Sequence, residues 1–207
     1  MARIVALLIY ALWVAMQAAP QTLTPQAAYA LCGSKCRYPA VMQAALSQLY
    51  RIEDPQGLAA RARLDKYVTA LDGRPREQAV GYLGQAQIYA LTFDYNHAIE
   101  SIQTALMLEV EHPPLQALLY TRLGDYTLYL YEWDAALDAY NTAIALDETL
   151  PEATLARARL YVIQLDYARA IPDYERYLAG VADTQDTTAV QRELVQAQAV
   201  MNALAKP

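Results

Sequence analysis

Three stretches of the chain carry one pattern of apolar and polar positions. FDYNHAIESIQTAL runs from Phe93 to Leu106, YEWDAALDAYNTAI from Tyr131 to Ile144, and LDYARAIPDYERYL from Leu165 to Leu178. They superpose without a gap. Asp94, Glu132 and Asp166 align, followed by the aromatics Tyr95, Trp133 and Tyr167. Next come the alanines Ala98, Ala136 and Ala170, the aliphatics Ile99, Leu137 and Ile171, and then Ile102, Tyr140 and Tyr174. Apolar positions that recur at three and four residues predict an amphipathic helix in each stretch. A second set of columns lies upstream. Ala86, Gly124 and Ala158 form a small-residue column, with Tyr82, Tyr120 and Thr154 before it and Tyr89, Thr127 and Tyr161 after it. Both sets repeat at steps of 38 and 34 residues, so the four extra residues fall around EHPP, Glu111 to Pro114.

Each unit therefore reads as two helices and a turn. The predicted pairs are 75–91 with 95–109, 114–130 with 133–147, and 151–165 with 167–179. Pro75, Pro114 and Pro151 sit where proline is tolerated, in the first turn of the leading helix. AGVADTQDTT breaks the pattern at Gly180, and Thr187 or Thr188 starts a last helix to about Ala205. Upstream, YPAVMQAALSQLYRI and DPQGLAARARLDKYVTALDG predict helices over 39–51 and 55–71 that do not share the repeat's columns. The regular alanines are clearances that let neighbouring helices approach, with large rings beside the gaps. Ala136 between Trp133 and Tyr140 is one such arrangement. A large residue forced into the Ala136 gap should cost about 1–3 kcal/mol by overpacking.

The period and the stretches YTRLGDY (Tyr120 to Tyr126) and WDAALDAY (Trp133 to Tyr140) resemble the tetratricopeptide repeat. The resemblance covers about residues 79–184. Repeat three departs most: Tyr177 replaces the small residue found at Ala105 and Ala143, and the family's late proline is missing. The resemblance implies an all-α fold, a right-handed α-solenoid of helix–turn–helix (TPR-like) repeats with capping helices. It also implies that the first helices of successive repeats line a concave surface that binds peptide or helix segments. By position that surface takes Leu83, Gln87 and Leu91 from the first copy, Thr121, Asp125, Leu128 and Tyr129 from the second, and Leu155, Arg159, Val162 and Ile163 from the third. The Lys/Asn set that holds a terminal carboxylate in some members is absent from these positions. An apolar segment is the expected ligand, and the last helix, with Leu194, Val200 and Leu204, is an alternative occupant.

Composition narrows the class. Ala, Leu and Tyr dominate a 56% hydrophobic chain of 207 residues, which favours helix over strand. The net charge is −6, and 13 Arg and 3 Lys are dispersed, so no basic stripe for nucleic acid is expected. The amino terminus, MARIVALLIYALWVAMQAAP, places Arg3 before an apolar run from Ile4 to Met16. The run is short for a membrane span of about 20 residues. It predicts a secretory signal, leaving near Ala18 or Ala19 or after Ala28 to Ala30, or else a retained anchor.

Cys32 and Cys36 are the only cysteines. In an exported chain they are a candidate disulfide; free or intermolecular thiols, and a redox or metal role, are the other readings. His97 reads as a solvated residue and His112 as part of an inter-repeat loop. No metal-ligand spacing, glycine-rich phosphate loop or Gly-x-Ser-x-Gly occurs in the sequence.

The expected organisation is a signal peptide or N-terminal membrane anchor over 1–30, capping helices with the Cys pair over 31–74, three repeats over 75–184 and a capping helix over 185–207. The upstream pair could also be a degenerate fourth repeat. The expected function is a non-enzymatic protein-binding scaffold without cofactors, secreted or periplasmic, touching membrane only through its N-terminal segment. The alternatives are a subunit of a membrane complex that keeps this segment as an anchor, and a redox or metal-binding protein using the Cys pair.

Overall fold

The computed structural model describes residues 25–33, 36–49, 57–71, 73–181 and 185–204. Among them the regular structure is helical, in the order α1 (Pro25–Cys32), α2 (Tyr38–Leu49), α3 (Leu58–Thr69), α4 (Pro75–Leu91), α5 (Tyr95–Met107), α6 (Pro113–Tyr129), α7 (Trp133–Leu146), α8 (Pro151–Ile163), α9 (Tyr167–Gly180) and α10 (Gln185–Leu204). The three predicted hairpins are α4–α5, α6–α7 and α8–α9, and their bounds lie within about two residues of expectation. The architecture is an α-solenoid of helix–turn–helix repeats: each hairpin packs internally, and the second helix of each packs on the first helix of the next.

Local chemistry explains the starts. Pro75, Pro113 and Pro151 stand at the first helical positions of α4, α6 and α8. Proline lacks the N–H that would be left without a partner there. Asp94 and Asp166 cap α5 and α9, accepting the backbone N–H of His97 and Arg169. Leu165, Tyr131 and Phe93, each directly before such a start, have positive φ.

The small-residue columns are the close approaches they were expected to be. Ala98, Ala136 and Ala170 are all fully buried. At Gly124 the space is taken by a ring: an added Cβ would stand 2.5 Å from Tyr140 Cε1. The ring beside this gap is thus Tyr140, fully buried. Trp133, expected to flank Ala136 with Tyr140, is exposed in the first turn of α7.

Two regions add to the sequence reading. The α1 helix falls at the end of the segment taken as a leader, and its Ala28 is fully buried against the rest of the N-terminal core. The pair α2–α3 packs as a hairpin, α3 on α4 and α2 also on α4, much as the repeats stack on one another. The apolar run from Ile4 to Met16 lies outside the described residues. Cys32 and Cys36 are joined to each other, in the link between α1 and α2.

Candidate functional site

Among the described residues, the face formed by α4, α6 and α8 is covered at both ends and open in the middle. At the N-terminal end, Tyr38 of α2 is fully buried, and its hydroxyl donates to Gln87 Oε1 at 3.1 Å. Its ring lies so close to Gly84 that a Cβ there would meet Cε2 at 2.6 Å. Leu83 and Gln87 are consequently closed off. At the C-terminal end, α10 packs on α9 and reaches α8 through an ion pair. Arg159 donates to both oxygens of Glu193, at 2.9 and 3.0 Å. Val162 is buried in the cluster that α10 completes, with Tyr174, Val190 and Ala197.

The middle holds a polar group beneath an apolar rim. Arg122 donates to Asp125 Oδ2 at 2.9 Å, and Tyr140 donates its hydroxyl to Asp125 Oδ1 at 3.0 Å. Burial pushes the Asp125 carboxyl above the usual carboxylate range, against the pull of Arg122, its hydrogen bonds and the more distant Arg159. Burial and Asp125 together raise the Tyr140 phenol well above its ordinary value. The Tyr140 phenol thus stays protonated at neutral pH and is the donor to Asp125. Thr121 is buried and donates to its own helix, at Ala117 O. Tyr129 stacks on Tyr95 across the first repeat junction, with ring centroids 4.6 Å apart and planes 8° from parallel. Burial, then the nearby Tyr95, pushes its phenol up to about 12.

Of the eleven positions carried over from the repeat, Leu83, Gln87, Thr121 and Val162 are buried. Leu91, Asp125, Leu128, Tyr129, Leu155, Arg159 and Ile163 are half-buried. Asp125 and Arg159, read from the sequence as isolated charges, are each paired within the protein. What remains accessible is the aliphatic set Leu91, Leu128, Leu155 and Ile163, together with Tyr129 and the paired Asp125 and Arg159.

Sequence reasoning missed Tyr38 as the residue that closes the first repeat, and the Arg122–Asp125–Tyr140 group. The signal for the second was present, because Gly124 stands alone against alanine in its column and pairs with Tyr140, a buried tyrosine of the second copy. No such column points to Tyr38.

His97 is exposed, its Nδ1 2.8 Å from Asp94 Oδ1, and its ring stacks on Tyr89. His112 is more than a loop residue. Its Nδ1 accepts the backbone N–H of Leu115, capping α6, while its Nε2 lies 2.7 Å from an Arg76 nitrogen. The same guanidinium donates to the carbonyls of Ala30 and Leu31, tying α1 to α4 and α6. Burial, then the Arg76 charge, holds the imidazole below its ordinary pKa.

No protein-family model matches the chain, and no curated protein matches it. Solved structures do. One crystal structure of MamA superposes with a TM-score of 0.56 at 22% identity, over 69% of this chain and 77% of that one. A second, of MamA protein, gives 0.52 at 22% identity, over 70% and 73%. These likenesses support a tetratricopeptide-like helical-repeat fold. At this identity they speak to architecture alone.

Proposed function

We propose that this chain is a non-enzymatic protein-interaction scaffold of the tetratricopeptide type, holding an apolar peptide or helix segment on the face of α4, α6 and α8. The observation that carries the reading is the row Leu91, Leu128, Leu155 and Ile163. These aliphatic side chains stay partly open on successive first helices, while the charges beside them are already satisfied within the protein. Such a face offers a ligand apolar contact and no free charge, which suits an apolar segment laid into a groove. Closure of both ends by Tyr38 and α10 limits the ligand to a short stretch.

Export to the cell envelope, or anchoring there, is part of the proposal, motivated by the apolar run from Ile4 to Met16. The packing of Ala28 favours an exit near Ala18 or Ala19 over one after Ala30, which would remove most of α1. The mass of the native protein tests this: loss of the first 18 or 19 residues fits export, and an intact terminus fits an anchor.

The binding test is Leu128→Arg with Ile163→Arg. Val162 is unsuitable as a partner substitution because it is core. In-cell crosslinking and mass spectrometry should show partners lost from the double variant, while far-UV helicity and the unfolding midpoint hold. An unchanged partner set removes the face from consideration.

A further inference from the structure

A second set of apolar side chains lies in the turns that join the two helices of each hairpin. Phe93, Tyr131 and Leu165 occupy one column of the repeat, directly before Asp94, Glu132 and Asp166. All three have left-handed backbone, with φ of 60°, 63° and 62°. That conformation crowds Cβ against the following carbonyl, and glycine adopts it without the penalty. Glycine stands in none of the three turns. Burial does not account for the choice, since Phe93 is 81% exposed, Tyr131 71% and Leu165 45%. Trp133, 40% exposed, adds a further ring two residues after Tyr131. At Phe93 and Tyr131 little burial offsets the backbone cost, and a bulky residue held at positive φ points to a function outside folding.

We propose that this edge of the solenoid is a docking strip for a short segment of a protein partner in which aliphatic side chains alternate with Lys or Arg. Charge selects that partner. Asp94 is paired with Arg61 and His97, and Asp166 with Arg169, so both are compensated. Glu132 caps nothing, and Glu132 and Asp134 are exposed on either side of Trp133. The central ring pair is therefore framed by carboxylates, which attract cations and repel an anionic lipid surface. Area sets the size. The exposed parts of the four side chains amount to roughly 500 Å², below the approximately 800 Å² per partner of a standard stable interface. A short, reversibly bound segment fits this strip better than a second copy of the chain.

The strip lies in the turns, two or three residues after Leu91, Leu128 and Ile163 of the α4–α6–α8 face, and the experiment separates the two. The probe is a short fluorescent peptide of lysine and leucine, with its lysine-to-glutamate counterpart as control, titrated by anisotropy onto the intact protein. The Phe93→Gly, Tyr131→Gly double variant should keep or raise the unfolding midpoint and bind the lysine peptide about tenfold more weakly. Glu132→Gln with Asp134→Asn should weaken binding about threefold and flatten its salt dependence. The Leu128→Arg, Ile163→Arg variant should bind as the parent does.

A fall in the midpoint of the glycine variant would show the side chains to be structural and end the proposal. Unchanged affinity in that variant, or equal binding of the glutamate peptide, would do the same. Binding to phosphatidylcholine vesicles, or a self-association, that the glycine variant abolishes would replace the occupant proposed here.

Discussion

The two ends of the solenoid cover the same face by different means. At the N-terminal end a fully buried tyrosine is seated on a glycine: Tyr38 against Gly84, with its hydroxyl held by Gln87. The seam is reinforced by Arg76, which joins α1, α4 and His112, and by Glu77, which accepts from the Tyr67 hydroxyl at 2.9 Å. At the C-terminal end α10 is held by the Arg159–Glu193 pair and a small apolar cluster. It leaves a cavity of about 200 Å³ bordered by Val162, Tyr167, Tyr174, Ala197 and Val200. Its outer side exposes Val195, Met201 and Leu204. A fully buried ring set against Gly84 has little room to adjust, whereas a helix bordering a cavity has more. One end is sealed by a tightly packed ring, and the other is covered by a single helix that leaves space beneath it.

The largest way to break the comparison is to empty the tight end. Tyr38→Ala should cost about 3–5 kcal/mol in urea unfolding, as truncation of a large buried ring does. Glu193→Gln at the other end should cost about 1–2 kcal/mol, because one hydrogen bond of the pair survives. Equal losses would contradict the asymmetry.

The next test adds volume. Gly84→Ala drives a methyl into the Tyr38 ring and should destabilise by about 1–3 kcal/mol. Ala197→Val places methyls beside the cavity and should be neutral or stabilise by about 0.5–1 kcal/mol. If both substitutions destabilise alike, α10 is as tightly fitted as α2.

The smallest effect is a pH dependence confined to the N-terminal seam. The folded His112 pKa is depressed below the ordinary 6.5, so the unfolded chain takes up the proton first. Its contribution is fully present above about pH 6.5 and is lost as pH falls through the folded value, when the ring can no longer accept the Leu115 N–H and repels Arg76. The unfolding midpoint should therefore decline slightly more steeply below pH 6.5 in the parent than in His112→Asn, a capping residue that does not titrate. Matching profiles would remove His112 from the seam.

Much of this was legible in the chain. The six repeat helices follow from columns such as Ala98–Ala136–Ala170, because a hairpin is local and helix spacing is written directly into residue size. The four extra residues, expected around Glu111 to Pro114 between hairpins, lengthen α6 by a turn instead: Pro113 stands 11 residues before Gly124, and Pro151 of α8 only 7 before Ala158. Repeat three read as irregular at Tyr177 for a physical reason visible in the fold. Ala105 and Ala143 are buried, in the helices that α6 and α8 pack upon, whereas Tyr177 belongs to the apolar cluster shared with Val190 of α10. Less legible was the α1 helix, whose AYA stretch has the small residues of a leader exit as well as those of a packed helix. The candidate site was legible only as a list of positions. Periodicity assigns a residue to a helix face, but it does not say what lies opposite, so Gln87 and Val162 could not be told apart from Leu128 and Ile163.

The sequence by itself determined the hairpins, their period and their internal packing, since these depend on contacts between residues close in the chain. The tertiary structure decided which parts of the face stay open, which rings are buried and which charges are paired. Those outcomes rest on Tyr38 meeting Gly84 and Arg159 meeting Glu193, contacts 34 residues or more apart whose partners share no repeating column. A local pattern fixes distance along a helix, and only the assembled stack fixes what each side chain meets across it.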